Sequence, residues 1–557
     1  MSTAIAIRSI VAVKTASDLF FEQLSGARSR VLLLDYDGTI APFSVQRNRA
    51  FPYPTVPELL DCIMSTCRTR LVLITGRAAR EIPPSPRSRS TSCGGLVSAL
   101  RPVLRDSNSF WVGWTGTEYA PEIADLLQDD SVRQCSLVPV FLTAEEKACF
   151  YHGCSNEIIW PLFHDLQSRC NFDPAYWDVY REVTEKFADA VEQTAHRDDF
   201  VWVHDYHLMM LADALRARAL PLKLAYFHHI PFPPPDIFEK LPWRSDILRG
   251  LLQFDTVGFQ TMRDRRNFVA CLRRCLHHVH MNRLGEKFLV RAEGSGTVVG
   301  AFPISIDFQE FAKEALCPAV AANAAEIRNR INEEHIILGV DRCDYTKGIP
   351  ERLLAFRQLL DSHPELHRKV TLIQVVVPSR EEIPSYKELK LAIERLASEI
   401  NGAYGVPGWV PIVYLHRCLS RRELVAFYRA ADVALITPLK DGMNLVAKEF
   451  CACRVDDDGV LVLSEFAGAA TELRCGALLV NPYDTEGVAS VLYRGLRMDG
   501  REQRARMKQM RLVIRRHDVF RWFTSFSAEA AQLRFGLRLP ADETDLSLQA
   551  QAHVAAD

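Results

Sequence analysis

The stretch HIILGVDRCDYTKGIPERLLAF, residues 335–356, reads as one folding unit. A continuous apolar run ends in Asp341 and Arg342, a loop carries Lys347, and IPERLLAF begins a helix. A strand without polar alternation is covered on both faces, as a parallel sheet between helix layers requires. The same alternation recurs along the chain. RLVLIT (70–75), DFVWVHD (199–205), KLAYFHHI (223–230), KVTLIQVVV (369–377), DVALITP (432–438), GVLVLSE (459–465) and GALLVNP (476–482) are apolar runs set between helical patterns. The fold class they predict is α/β. In such folds ligands sit beyond the carboxyl ends of the strands. Several runs end there in polar side chains: Asp205, His229, Asp341-Arg342, Ser379-Arg380 and Ser464-Glu465.

The chain has 557 residues, 48% hydrophobic and 24% charged, with a formal net charge of −2. That is a soluble, globular balance. It implies no broad attraction to nucleic acid or an anionic membrane, so any anion site is local. No apolar run approaches the length of a membrane span. Arg8 and Lys14 interrupt the mildly apolar N-terminus, which does not read as a secretory signal. The 15 cysteines are scattered, without paired spacing, and predict free thiols in a cytoplasmic protein. CLRRCLHHVH (271–280) invites a metal reading. An amphipathic helix with Cys271, Leu272 and Cys275 inward is favoured, because structural metal sites show tighter paired spacing. No metal site is expected. EIPPSPRSRSTSCGG (81–95) reads as a linker, and a second boundary falls near 308–332.

TPLKDGMNLVAKEF (437–450) is the densest constellation. Asp441, Gly442, Met443 and Asn444 form a turn after a strand, and Leu445 and Val446 start a helix whose free N–H groups suit a diphosphate or sugar hydroxyls. Asp441 and Glu449 can face one ligand. The bland alternative is a capping Asp and a solvent-facing Glu. Arg342 and Lys347 flank another helix start, where two cations can neutralise a leaving diphosphate. Arg380 follows a further strand. On the other half, FYHGCSNEIIWPLFHDL (150–166) supplies Tyr151, Asn156, Trp160 and His164, the aromatic and amide groups that grip sugars. Core packing for Trp160 and a satisfied buried ring for His229 are the competing readings.

From about 92 to 535 the chain resembles the trehalose-6-phosphate synthase family. The resemblance rests on SCGGLVSAL, FWVGWTG, YHGCSNEIIWPLFH, WVHDYHLMML, HIPFPPPDIFEKLPWR, VGFQT, FPISID, DRCDYTKGIPERLLAF, TPLKDGMNLVAKEF, LSEFAGAATEL and LLVNPYD, in that order. It implies a GT-B glycosyltransferase with two Rossmann-like domains, expected at 90–325 and 330–500, with C-terminal helices at 501–538 returning to the first and a polar tail at 539–557. It implies retaining transfer of glucose from UDP-glucose, with no cofactor. Carried over by residue, Gly94 and Gly95 would approach the diphosphate, and Arg342 and Lys347 would hold it. Asp441 and His229 would bind the transferred glucose. Leu445 and Val446 amides would meet phosphate, Glu449 the ribose, and the backbone near Leu419 the base. Tyr151, Trp160 and Arg380 would grip the acceptor phosphate, and Asp205 its hydroxyls.

The N-terminal segment, expected at 1–85, resembles a haloacid-dehalogenase-type phosphatase through VLLLDYDGTIAPF (31–43) and RLVLITGR (70–77). By that resemblance Asp35 would be the nucleophile, Asp37 the acid/base and Thr75 a phosphate binder. The later lysine and acidic pair such an enzyme needs are absent, so phosphatase activity is not expected. The family's first strand, with its phosphate-binding arginine, is not found ahead of SCGG. Arg87 and Arg89 do not map onto it. The phosphatase strands would take that place. The expected partners are small molecules, with a homo-oligomer left open. The acceptor is glucose 6-phosphate or, alternatively, glycerol 3-phosphate. YHGCSNEIIWPLFH and PSREEIPSY favour the former. A phosphatase, or a sugar-phosphate-binding relative without turnover, are the readings of other classes.

Overall fold

A computed structural model describes residues 30–32, 69–75, 110–114, 136–197, 199–292, 295–331, 334–380 and 383–532. Asp35, Asp37, Arg87, Arg89, Gly94 and Gly95 lie outside the described residues, as do the linker at 81–95 and the tail at 539–557.

Apolar runs between helices produce three sheets. The first has four parallel strands in sequence order: β1 (Arg30–Leu32), β2 (Thr69–Thr75), β3 (Phe110–Trp114) and β4 (Ser136–Val140). The second contains β5 (Phe200–His204), β6 (Lys223–His228), β7 (Thr256–Phe259), β8 (His280–Leu284), β9 (Lys287–Ala292) and β10 (Ser295–Ala301). Its order is 5-6-7-10-9-8, and the last three strands form an antiparallel meander. Strands β1 and β2 lie against β5.

The third sheet is wholly parallel: β11 (His335–Arg342), β12 (Val370–Val377), β13 (Ile412–His416), β14 (Val433–Ile436), β15 (Val460–Ser464) and β16 (Leu478–Val480). Its order, 13-12-11-14-15-16, is that of a doubly wound Rossmann sheet. The strand order reverses between β11 and β14, which opens a crevice at their carboxyl ends. All but the end residues of β11 are buried, which accounts for its unbroken apolar run.

RLVLIT lies in β2, with Val72 opposite Phe110 and Thr75 opposite Gly113. Strand β2 therefore stands ahead of Ser92-Cys93-Gly94-Gly95 in the sequence, and it is one of the runs expected to take the place of the family's first strand. It is the same run that resembled a phosphatase strand. Only the backbone of Thr75 is described.

One apolar core passes through the second sheet and the inner face of the third, and a second core covers the third sheet's other face. Helices position the site. They are α1 (Pro174–Thr194), α2 (Met262–Cys275), α3 (Ile349–Ser362), α4 (Arg421–Ala430), α5 (Leu445–Cys453), α6 (Gly500–Arg516) and α7 (Val519–Gln532). Cys271 and Leu272 of α2 face the core, and burial pushes the Cys271 thiol up. Helix α7 lies back on β7, where Phe526 packs over Gly258. Among the described residues, no helix is long and apolar enough to cross a membrane.

Candidate active site

The carboxyl ends of β11, β12 and β14 face those of β5 and β6. Beyond β11, Asp344 accepts from the Thr346 N–H at 3.0 Å and turns the chain. Gly348 then opens α3 at φ 62°, and a Cβ there would meet the Thr437 carbonyl at 2.3 Å. Only glycine fits both demands. The tight turn brings Lys347 back under the loop after β14, where its Nζ lies 2.6 Å from Asp441 Oδ2. Asp441 also accepts from the Met443 N–H at 3.1 Å and the Asn444 side chain at 3.3 Å. Burial alone would raise this carboxyl, but Lys347 and the Met443 N–H outweigh it and hold it below the usual range.

Asn444 adopts φ 66° and caps α5 by accepting from the Ala447 N–H at 3.1 Å. The cap is thus Asn444, not Asp441, and Leu445 and Val446 form the first turn. Glu449 is fully buried, contrary to a solvent-facing reading. Tyr428 of α4 donates to one of its oxygens at 2.8 Å, and the other oxygen has no partner. Burial pushes its carboxyl up to about 7. Leu419 is buried just before Ser420, the cap of α4, and α4 packs against α5.

The two halves meet at Gly442. A Cβ there would lie 2.5 Å from the His229 carbonyl oxygen. The His229 ring is committed elsewhere. Its Nε2 lies 2.9 Å from His204 Nδ1, and its Nδ1 lies 3.2 Å from the Gln260 amide nitrogen. Gln260 Oε1 accepts from the Ile304 N–H at 3.0 Å, so its NH2 group faces His229. His229 is therefore neutral, with Nδ1 accepting and Nε2–H directed at His204. Burial, then His204 and His228, drive its pKa well down. The group it turns toward Gly442 is its backbone oxygen. Asp205, at φ 68°, accepts from the His229 N–H at 3.3 Å. A non-glycine residue in that conformation at a strand end is strain of the kind that gathers at functional sites.

Lys147–Ile159 forms a wide π-type helix ahead of Trp160. Such turns are rare and cluster at functional positions. Asn156 holds the Tyr151 carbonyl at 2.6 Å and receives the Tyr206 hydroxyl at 3.1 Å. Tyr151 stacks on His207 at 5.9 Å. Trp160 is largely buried, with its indole N–H unpaired, yet two guanidiniums lie over its ring: Arg380 at 4.3 Å and Arg342 at 5.6 Å. Arg380 donates to the Tyr386 hydroxyl at 2.5 Å and to the Tyr206 hydroxyl at 3.1 Å. Burial lowers His164 to about 3, and burial with Arg380 lowers His207 to about 3. Both rings are neutral, so the cations are the arginines and Lys347. Lys440 pairs with Asp165 across the cleft, and Lys448 reaches the Ile304 carbonyl at 2.8 Å.

Arg342, Lys347, Asp441, Gly442, Asn444, Asp205, His229, Trp160 and Arg380 thus converge on one cleft. Sequence reading missed Asp344, Tyr206, Tyr386, His204 and Gln260. Asp344 and Tyr206 stand beside residues it did select.

The model of Glycosyltransferase family 20 matches residues 73–532 and begins inside β2. A trehalose-6-phosphate synthase of Mycobacterium sp. (strain KMS) is 43% identical over 463 residues, covering 82% of this chain and 93% of the relative. A bifunctional trehalose-6-phosphate synthase/phosphatase of Thermoproteus tenax is 42% identical over 470 residues, covering 82% of this chain and 63% of that protein. Among solved structures, one from E. coli, described as trehalose-6-phosphate bound with UDP-2-fluoro glucose, superposes with a TM-score of 0.74. It is 35% identical and covers 83% of this chain and 99% of its own. An α,α-trehalose-phosphate synthase (UDP-forming) from Burkholderia xenovorans, in complex with glucose-6-phosphate, gives a TM-score of 0.73. It is 32% identical and covers 83% and 99%. The two-Rossmann architecture is the GT-B fold. The chain belongs to Glycosyltransferase family 20.

Proposed function

We propose that the chain transfers glucose from UDP-glucose to glucose 6-phosphate with retention, releasing UDP and forming trehalose 6-phosphate. No cofactor takes part in the transfer. The observation that carries this reading is the cationic group of Arg342, Lys347 and Arg380 gathered between two facing sheet edges, with Trp160 beneath two of them. The relatives named above, and the ligands of the E. coli and Burkholderia structures, support the same substrates.

The roles follow from charge and position. Arg342 and Lys347 neutralise the diphosphate as its bond to the anomeric carbon breaks. The N–H groups of Leu445 and Val446, at the positive end of α5, meet its phosphates. The backbone near Leu419 meets the base. Asp441 orients Lys347 and binds glucose hydroxyls. Glu449, with one oxygen unpaired at the base of the crevice, receives the ribose. Arg380 and Tyr151 take the acceptor phosphate beside the Trp160 ring, and Asp205 orients the sugar. The acceptor hydroxyl attacks the face the diphosphate leaves, and its proton passes to a leaving phosphate oxygen. The glycerol 3-phosphate acceptor and the N-terminal phosphatase have no support from the relatives. The described cysteines are free thiols, which suits a reducing cytoplasm.

The test is UDP release from UDP-glucose with each acceptor. Release with glucose 6-phosphate and not with glycerol 3-phosphate is expected. Folded protein that releases UDP with neither acceptor removes the reading.

A further inference from the structure

Asp344 stands between the donor and acceptor sites and belongs to neither. Its side chain is fully buried. One oxygen, Oδ1, accepts from the Thr346 N–H at 3.0 Å and the Thr346 hydroxyl at 2.9 Å, which is all that the turn requires. The other oxygen accepts no hydrogen bond. It lies 3.6 Å from Arg342 Nη2 and 3.7 Å from Arg380 Nη1, almost evenly between two guanidiniums that share the Trp160 ring. A buried carboxylate oxygen without a hydrogen bond is costly, and so are two cations drawn to one ring. Each offsets the other here. Burial would raise the Asp344 carboxyl, but Arg380, Arg342 and Lys347 keep it ionised.

We propose that Asp344 is a positioning residue shared by both substrate sites. It is the internal counter-anion that aligns Arg342 for the donor diphosphate and Arg380 for the acceptor phosphate before either arrives. A single side chain that touches neither substrate then sets the affinity for both. The proposal rests on the roles given above to the two arginines.

Asp344→Asn keeps the volume and, with its oxygen toward Thr346, both hydrogen bonds there, while it removes the charge and turns an NH2 group toward the two guanidiniums. A turn-forming role alone leaves that variant near wild type. The shared role raises KM for UDP-glucose and for glucose 6-phosphate together, each about tenfold, with a smaller change in kcat, and lowers the melting temperature because two guanidiniums lose their counter-charge. In an Arg380→Ala background, D344N adds nothing to the acceptor KM. In Arg342→Ala, it adds nothing to the donor KM. A shift in one KM only, in neither, or one that is additive in these backgrounds overturns the proposal.

Wild-type turnover in the same assay separates this from failure of the functional reading. Without turnover, calorimetric binding of UDP and of inorganic phosphate makes the same comparison, and D344N must weaken both. If D344N does not fold, the arginines report on each other. R342A then raises the acceptor KM and R380A the donor KM, each about threefold or more. Shifts confined to each arginine's own substrate contradict the shared anion.

Discussion

In the proposed mechanism Lys347 and Arg342 hold the donor diphosphate and meet its charge as it leaves, so their removal acts on the transition state as well as on the bound substrate. R342A and K347A are each expected to lower kcat by more than about tenfold, roughly 1.4 kcal/mol or more of transition-state stabilisation. Steady-state UDP release measures this, and an unchanged rate removes the role. Glu449 makes a prediction about pH. Its carboxyl rises from an ordinary 4.5 to about 7 through burial. The folded state thus retains a proton that the unfolded chain releases. The stability tied to Glu449 is fully present below pH 4.5 and is lost as pH rises through about 7, by about 3 kcal/mol in all. Glu449→Gln is expected to remove that loss, making the unliganded protein more stable at pH 8 while weakening UDP-glucose binding. Urea unfolding at pH 5 and pH 8 reads the difference. A wild-type-like pH slope in E449Q contradicts it. At this scale much of the cleft was legible, because Arg342, Lys347 and Asp441 stand in loops between an apolar run and a helix. The burial of Glu449 was not, since a charged residue on a helix reads as solvated until its neighbour Tyr428 is known. The tautomer of the His229 ring depends on Gln260, which is distant in sequence.

Among the elements, the turn after β14 and the start of α5 do most to shape the cleft. Gly442 lets that turn touch the loop after β6, with a Cβ only 2.5 Å from the His229 oxygen. Gly442→Ala must push the two halves apart. A 1 Å displacement at a reacting centre costs on the order of a hundredfold in rate. A fall of that order in kcat/KM, with the melting temperature nearly kept, is the expected result. A G442A enzyme of normal activity shows that the halves do not meet there. The doubly wound sheet was readable from its central strands, which are buried on both faces and therefore continuously apolar, whereas the half-exposed edge strand β13 was not among the runs read. The π-type helix before Trp160 was not readable. Its wide turns satisfy no periodicity that distinguishes them from an ordinary helix, and the YHGCSNEIIW segment shows only which residue types it gathers. The strand β2 was read as an apolar run at 70–75, one residue short of its start at Thr69, and was assigned by resemblance to the N-terminal segment. Short buried strands look alike, and only the pairing with β3 shows what β2 completes.

For the molecule as a whole, α7 ties the end of the described chain to the back of the active site. Trp522 is buried, 5.1 Å from the Phe227 ring and 6.4 Å from His229. Trp522→Ala opens a cavity there, with an expected cost of about 3–5 kcal/mol. It also loosens the support of the His229 loop. A fall in both melting temperature and kcat is expected, whereas a stability loss with kcat intact confines α7 to packing. Such long-range closure cannot be read from local patterns, because the aromatic residues of α7 predict burial without naming the surface that buries them.

The central claim is glucosyl transfer with retention in the cleft between the two Rossmann-like domains. The most direct measurement follows the anomeric protons by NMR while the protein is incubated with UDP-glucose and glucose 6-phosphate. The account predicts a new α-anomeric signal that grows in step with UDP and is lost in K347A. A β-anomeric product, or unchanged substrate signals with folded protein, would contradict it.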